Sequence, residues 1–353
     1  MRRHGLPEIH HELSRRDLLR LAGVGLSGLG LAAIVGCGDG DKPGSAPSTP
    51  LATDPPPETT TIRLAKHAIC VAPLYLAEED LLPAEGFTDV QYLPFSATVG
   101  SGEVDMAMTT DHFAAIAADA GEPLVVLAGV QVGCWELFGT DGVQTIRDLK
   151  GKTIAVSEVA PTSVDYTFVA TILTYVGIGP ATDVNFVAHT KDEAIQLLAE
   201  GKIDAYLALP TVNQELRAKK IGHVVANSMM DRPWSQYFCC SVVVNKAFFE
   251  RNPVATKRAL RAILKAADIC VQEPERVARF LVDRGYEENY DYALATMKEI
   301  PFGVWREYDT EDSLRFYSLR LVETGLIKST PDENIARATD LRLFEELKQE
   351  LKA

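Results

Sequence analysis

Basic side chains are in short supply in this sequence: 35 lysines and arginines stand against 49 aspartates and glutamates, a formal net charge of −14. That deficit argues against nucleic acid as a partner, because such affinity comes mainly from basic contacts to phosphate. Long apolar runs are missing after residue 36; the longest, around "PLVVLAGVQVG" (123–133), falls well short of the roughly 20 residues that cross a bilayer. The body of the chain is therefore expected to be soluble. Hydrolase and nucleotide signatures are absent too, with no G-x-S-x-G, no H-E-x-x-H and no P-loop. The seven histidines are scattered, three of them (His4, His10, His11) near the start. No cysteine stands at metal-ligand spacing from a histidine, so no metal and no cofactor is expected.

The first 61 residues read as an address and a tether. "SRRDLLR" (14–20) carries its arginines just ahead of Leu21–Val35, which hold no charge. Gly23, Gly25, Gly28 and Gly30 loosen that run, so it fits a signal h-region better than a membrane span. Ile34-Val35-Gly36-Cys37 resembles the bacterial lipobox, which implies that Cys37 carries a diacylglycerol and opens the mature chain. Ser14-Arg15-Arg16-Asp17 resembles the twin-arginine export motif, with Arg15 and Arg16 as its pair. Residues 1–36 are thus expected to be an export signal. Residues 37–61, crowded with Pro, Gly, Ser, Thr and Asp, are expected to be a disordered tether that holds the body at a membrane. Losing 1–36 removes five basic and three acidic residues, and the net charge moves from −14 to −16.

Five further cysteines, Cys70, Cys134, Cys239, Cys240 and Cys270, are an odd number for an exported chain, so at least one thiol is free or pairs between molecules. They read as small buried hydrophobes. Cys239 and Cys240, as neighbours, are expected on opposite faces of a strand.

From Ile62 short apolar runs alternate with helical patterns, which predicts βαβ units. Strands are expected at 61–66, 90–95, 104–109, 124–130, 153–157, 184–189, 204–209 and 240–245. Helices are expected at 72–82, 112–121, 163–178 and 191–202, with 255–285 divided at Pro274.

At "APLYLAEEDLLPAEGFTDVQYLPF", "GSGEVDMAMTT", "IRDLKGKTIAVS", "EAIQLLAEGKIDAYLAL" and "VVVNKAFFERNPVATKRALRAILKAA" the chain resembles solute-binding proteins of ABC importers, of the nitrate, sulfonate and taurine class. That class shares its fold with thiamine-pyrimidine synthases. The resemblance implies an α/β, two-lobed type II periplasmic-binding fold with mixed, mostly parallel sheets and a cleft between lobes. Lobe one would take 62–152 and 241–353, and lobe two 153–240. It implies a small-molecule solute, hinge closure, an ABC permease with its cytoplasmic ATPase as partner, and an extracytoplasmic, lipid-anchored place. A tethered binder that must present its cleft is expected to be a monomer.

Turns between strands and helices would face the cleft, which nominates Cys70, Pro73, Thr109, Thr110, Asp111, Trp135, Glu136, Thr162, Ser163, Pro210 and Tyr237. Thr162 and Ser163 either hold an anion or carbonyl oxygen with the helix amides behind them or merely cap that helix. Trp135 and Tyr237 either stack on a flat ligand or pack as core. These turns hold no lysine or arginine but do hold Asp111, Glu136, Glu158 and Asp165, which favours a neutral or amine-bearing organic ligand. The rival synthase would carry pyridoxal phosphate on a lysine and consume its own histidine. The matching stretch "DMAMTTDHFAA" places the lysine position at Thr109 and the histidine position at Phe113, with His112 one residue off. A threonine forms no Schiff base, and the synthase's cysteine-rich iron motif is reduced to Cys239-Cys240, with Ser235 and Gln236 beside it. A sensor that reports ligand to a signalling receptor would use the same fold.

Overall fold

The computed structural model describes residues 54–94 and 98–352. The expected export signal, with Arg15 and Arg16, the lipidation site Cys37 and the tether up to residue 53 lie outside the described residues. Among the described residues no helix is long and apolar enough to cross a membrane.

Two five-stranded sheets organise the chain. The strands are β1 (Thr61–Ala65), β2 (Asp89–Leu93), β3 (Met106–Thr110), β4 (Leu124–Val132), β5 (Glu136–Gly139), β6 (Thr153–Val156), β7 (Asn185–Ala188), β8 (Ala205–Ala208), β9 (His223–Asn227) and β10 (Phe238–Asn245). The first sheet has the order β2-β1-β3-β10-β4 and the second β7-β6-β8-β5-β9. In each, one strand that arrives from the other lobe runs antiparallel to its neighbours: β10 between β3 and β4, and β5 between β8 and β9. Helices cover both faces, as βαβ chirality and burial require, and the fold is the two-lobed α/β arrangement.

The lobe boundaries differ from expectation. The second sheet begins at Glu136 rather than after residue 152, and the first resumes at Phe238, because β5 and β9 are strands of their own. The expected helix 72–82 is two short ones, Ala72–Leu76 and Leu81–Ala84. Pro83 explains the break: it is tolerated in the first turn of a helix that restarts at Leu81 but not in the interior of a continuous one.

The end of the expected tether is also ordered. Asp54 pairs with Lys257 and Arg261, and Arg258 donates to the carbonyls of Asp54 and Pro55 at 2.8 and 3.1 Å. Glu58 accepts from the amides of Val254 and Ala255 at 3.0 and 2.8 Å. Those are free donors in the first turn of the helix Pro253–Gln272, whose own N-cap residue Asn252 makes no side-chain cap. A carboxylate from far away in sequence thus does the work of a capping residue. Composition alone does not reveal this, since the partners lie about 200 positions downstream.

Between the sheets the chain crosses twice, at 133–135 and at 228–237. Gly133 takes φ +58, and a Cβ there would lie 2.5 Å from the Met229 nitrogen and the Ser228 carbonyl carbon. The Ser228 hydroxyl accepts from the amides of Cys134 and Trp135, both at 3.0 Å, and donates to the Trp135 carbonyl at 2.9 Å. Ser228 is fully buried. Replacing Ser228 by Ala leaves two buried amides without a partner, so Ser228→Ala is expected to cost about 2 kcal/mol or more. Equilibrium urea unfolding measures this; an unchanged midpoint at unchanged slope would show that the crossing does not depend on the hydroxyl.

Candidate functional site

A cavity of about 600 Å³ lies between the lobes. Lobe one supplies the turn after β1, the carboxyl end of β3, the first turns of the helix Asp111–Asp119 and part of β10; lobe two supplies Pro161, Thr162, Val164 and Leu209; Cys134 comes from the first crossing. Strand ends facing helix starts place it where open α/β sheets take ligands. Phe113 is the aromatic side chain in its wall, half-buried, with Met108, Val71 and Leu209 giving further apolar surface. Thr98, Thr109, Thr110 and Thr162 offer hydroxyls. Among the described lining residues there is no lysine or arginine; apart from cysteines, the ionisable ones are His67 and Glu122. Burial pushes His67 down to about 4, which keeps its imidazole neutral at physiological pH.

Of the nominated residues the structure brings Cys70, Thr109, Thr110 and Thr162 to this cavity. The others lie behind it. Trp135 is fully buried, tilted against Phe168 and edge-on to Trp234, so it is a core aromatic rather than a stacking plate. Tyr237 lies flat on Phe316 at 4.1 Å, its ring face already covered. Pro73 is buried in the first turn of its short helix, and Pro210 is buried one residue beyond the lining Leu209. Glu136 is buried under the second lobe: Asn227 donates to it at 2.7 Å and Arg217 stands 3.6 Å away, while burial raises its pKa. Ser163 caps the helix Val164–Tyr175.

That helix start is closed to an anion by its own sequence. Asp165 accepts from the amide of Tyr166 at 2.9 Å, from the amide of Ser157 at 2.6 Å and from the Ser157 and Ser163 hydroxyls. The positive end of the helix dipole therefore already faces a carboxylate. The helix Asp111–Asp119 likewise begins with a carboxylate, that of Asp111.

Sequence reasoning missed His67 and Phe113, whereas Leu209 belongs to the turn 209–211 expected at the cleft. Phe113 follows Asp111 by two positions and lies on the cavity side, a rotation about the helix that the turn motif alone does not specify. His112 points away, fully buried, its ring 4.0 Å from Phe168, and burial pushes it down to about 3. Asp111 is 1% exposed, and neither of its oxygens has a hydrogen-bond partner among the described residues. Burial pushes it up to about 7, opposed by the nearby Ser241 hydroxyl.

The lobes also touch outside the cavity. Thr211 donates to Glu287 at 2.5 Å and Arg217 to Glu299 at 2.6 Å, joining the helix Val212–Lys219 of lobe two to the helical end of lobe one. The helix Thr310–Thr324 packs on Val164–Tyr175, with Arg320 over the Tyr175 ring.

The profile of the NMT1/THI5 like family matches residues 91–277. Among curated relatives, the 4-amino-5-hydroxymethyl-2-methylpyrimidine phosphate synthase THI13 of Saccharomyces cerevisiae is 26% identical over 240 residues, covering 62% of this chain and 68% of that one. Among solved structures, the periplasmic nitrate-binding protein NrtA from Synechocystis PCC 6803 superposes with a TM-score of 0.69 at 14% identity, covering 84% of this chain and 90% of that one. The alkanesulfonate-binding protein SsuA from Xanthomonas axonopodis pv. citri, bound to MOPS, gives 0.63 at 15% identity, covering 80% and 99%. At such identities these structures establish a shared fold.

The Asp111 environment makes a pH-dependent claim. A carboxyl whose folded pKa is raised contributes stability that is full below its unfolded pKa, near 3.8, and is lost as pH rises through about 7. His112 and His67 act in the opposite sense, so the difference between wild type and Asp111→Asn isolates the carboxyl. That variant is expected to gain stability relative to wild type between about pH 4 and pH 7, with no further gain above. Urea midpoints across pH measure it; a pH-independent difference would show that Asp111 ionises normally.

Proposed function

As the chain belongs to the NMT1/THI5-like family and carries its cavity between two lobes, we propose that it is an extracytoplasmic solute-binding protein of an ABC importer. In this reading it captures a small organic molecule by hinge closure and delivers it to a permease driven by a cytoplasmic ATPase, as a monomer lipid-anchored at Cys37 after export through the Arg15-Arg16 signal. The observation that carries the reading is a roughly 600 Å³ interlobe cavity, within the range of about 300–1,000 Å³ usual for small-molecule sites.

The lining favours one ligand class. Nitrate and alkanesulfonate, which the named neighbours bind, are anions, and burying an anion calls for a cation or open helix amides. Here no lysine or arginine lines the cavity among the described residues, and both helices that begin beside it carry carboxylates in the first turn, Asp111 and Asp165. The ligand is therefore an uncharged or amine-bearing organic molecule with an apolar face against Phe113 and polar edges toward the threonine hydroxyls.

The synthase relatives favour a second reading, an enzyme holding pyridoxal phosphate on a lysine. The residues do not fit that group: Thr109 stands at the matched position, no lysine lines the cavity among the described residues, and His112 faces Phe168. A sensor for a signalling receptor would bind the same ligand class.

Thermal unfolding of the purified protein against nitrate, taurine, alkanesulfonates, aminopyrimidines, aromatic carboxylates and pyridoxal phosphate tests the reading. A true ligand at 100 times its Kd adds about 2.7 kcal/mol, and the hit is expected among uncharged or amine-bearing compounds. Phe113→Ala is then expected to weaken that ligand about tenfold, a difference of about 1.4 kcal/mol. A hit confined to nitrate or sulfonates would overturn the assigned ligand class.

A further inference from the structure

Three thiols meet beside the cavity. All five cysteines among the described residues are free and buried. The sulfurs of Cys134, Cys239 and Cys240 lie within 4.8 Å of one another, and Cys134 Sγ stands 3.8 Å from Cys239 Sγ. Cys70 lines the same cavity but stands outside that group. Neighbours on a regular strand point to opposite faces, yet Cys239 and Cys240 keep their sulfurs together. The register of β10 against β4 is broken between Phe238 and Cys240, and that irregularity reverses the expectation of opposed side chains. The three donors come from two separate places: the first crossing and the start of β10.

One of these separations is that of a coordination shell. Four sulfurs bonded tetrahedrally to zinc at about 2.3 Å stand about 3.8 Å apart, the separation already present between Cys134 and Cys239. Soft sulfur donors without oxygen or nitrogen select thiophilic cations. An entry path exists, since Cys134 and Cys240 line the cavity.

We propose that Cys134, Cys239 and Cys240 form a binding site for one thiophilic, closed-shell divalent cation of the zinc and cadmium class. The cation forms metal–sulfur bonds as three S–H bonds break, and the three protons leave to solvent through the cavity. Two positive charges enter and three depart, so the occupied site carries one negative charge; no electrons move. The bound ion ties Cys134 of the first crossing to Cys239 and Cys240 at the end of the second. This site stands independently of the transport reading.

The test is titration of the full, reduced chain with cadmium, followed by its ultraviolet thiolate-to-metal charge-transfer band and by native mass spectrometry. The expected result is a band saturating at one equivalent, one cadmium adduct with three protons lost, and a raised unfolding temperature. Cys134→Ser and Cys239→Ser should each lower cadmium affinity at least 100-fold, whereas Cys270→Ser, in the Pro253–Gln272 helix, and Cys37→Ser should leave it unchanged. Should the crossing variants fail to fold, Cys240→Ser serves instead, together with the wild-type adduct mass. Absence of a band at one equivalent, a band that survives the cluster substitutions, or a band lost with Cys37→Ser would overturn the proposal.

Discussion

Two chain segments cross between the lobes in van der Waals contact, and one hydroxyl makes that crossing possible. A close backbone approach leaves amides that neither sheet can pair, and burying them without partners is costly. Ser228 satisfies the amides of Cys134 and Trp135 and returns a bond to the Trp135 carbonyl. Gly133 permits the approach because any Cβ there would meet the opposite backbone. With the crossing fixed, β5 and β10 each enter the other lobe's sheet antiparallel, and the strand ends of both lobes converge on one space. The position of the cavity follows from that constraint.

The electrostatics of the cavity follow from which residues begin its helices. Anion sites in proteins commonly draw on unpaired amides at a helix start. In this chain Asp165 occupies its own helix start through bonds to Ser157, Ser163 and Tyr166, and Asp111 opens the other helix. A fold shared with the nitrate- and alkanesulfonate-binding neighbours thus here begins both of these helices with a carboxylate.

Much of this was legible from the residues. The alternation of apolar runs and helical patterns located eight of the ten strands, and the resemblance gave the two lobes. The strands β5 and β9 were missed because "ELFG" and "HVVAN" are short and gain their stability from pairing with each other and with β8, a non-local fact. At the cavity, the turns holding Cys70, Thr109, Thr110 and Thr162 were readable because strand ends face clefts in open sheets. Trp135 and Tyr237 misled, because an aromatic next to a cleft turn looks the same in sequence whether its ring faces ligand or Phe168 and Phe316. Phe113 was passed over for the converse reason: one helical position decides whether a side chain faces the cavity or, like His112, the core. The adjacency rule for Cys239 and Cys240 failed at a break in strand register, which no pattern of residue types records.

The clamp on residues 54–58 bears on how the molecule responds to force. Asp54, Pro55 and Glu58 are held by Lys257, Arg258, Arg261 and the first amides of the Pro253–Gln272 helix. A pull applied at Asp54 is therefore taken up in parallel by several charge-assisted bonds into a long buried helix of lobe one, ahead of the β1 ladder. Lobe one is the mechanically grounded half of the body, and the two crossings carry strain onward to lobe two.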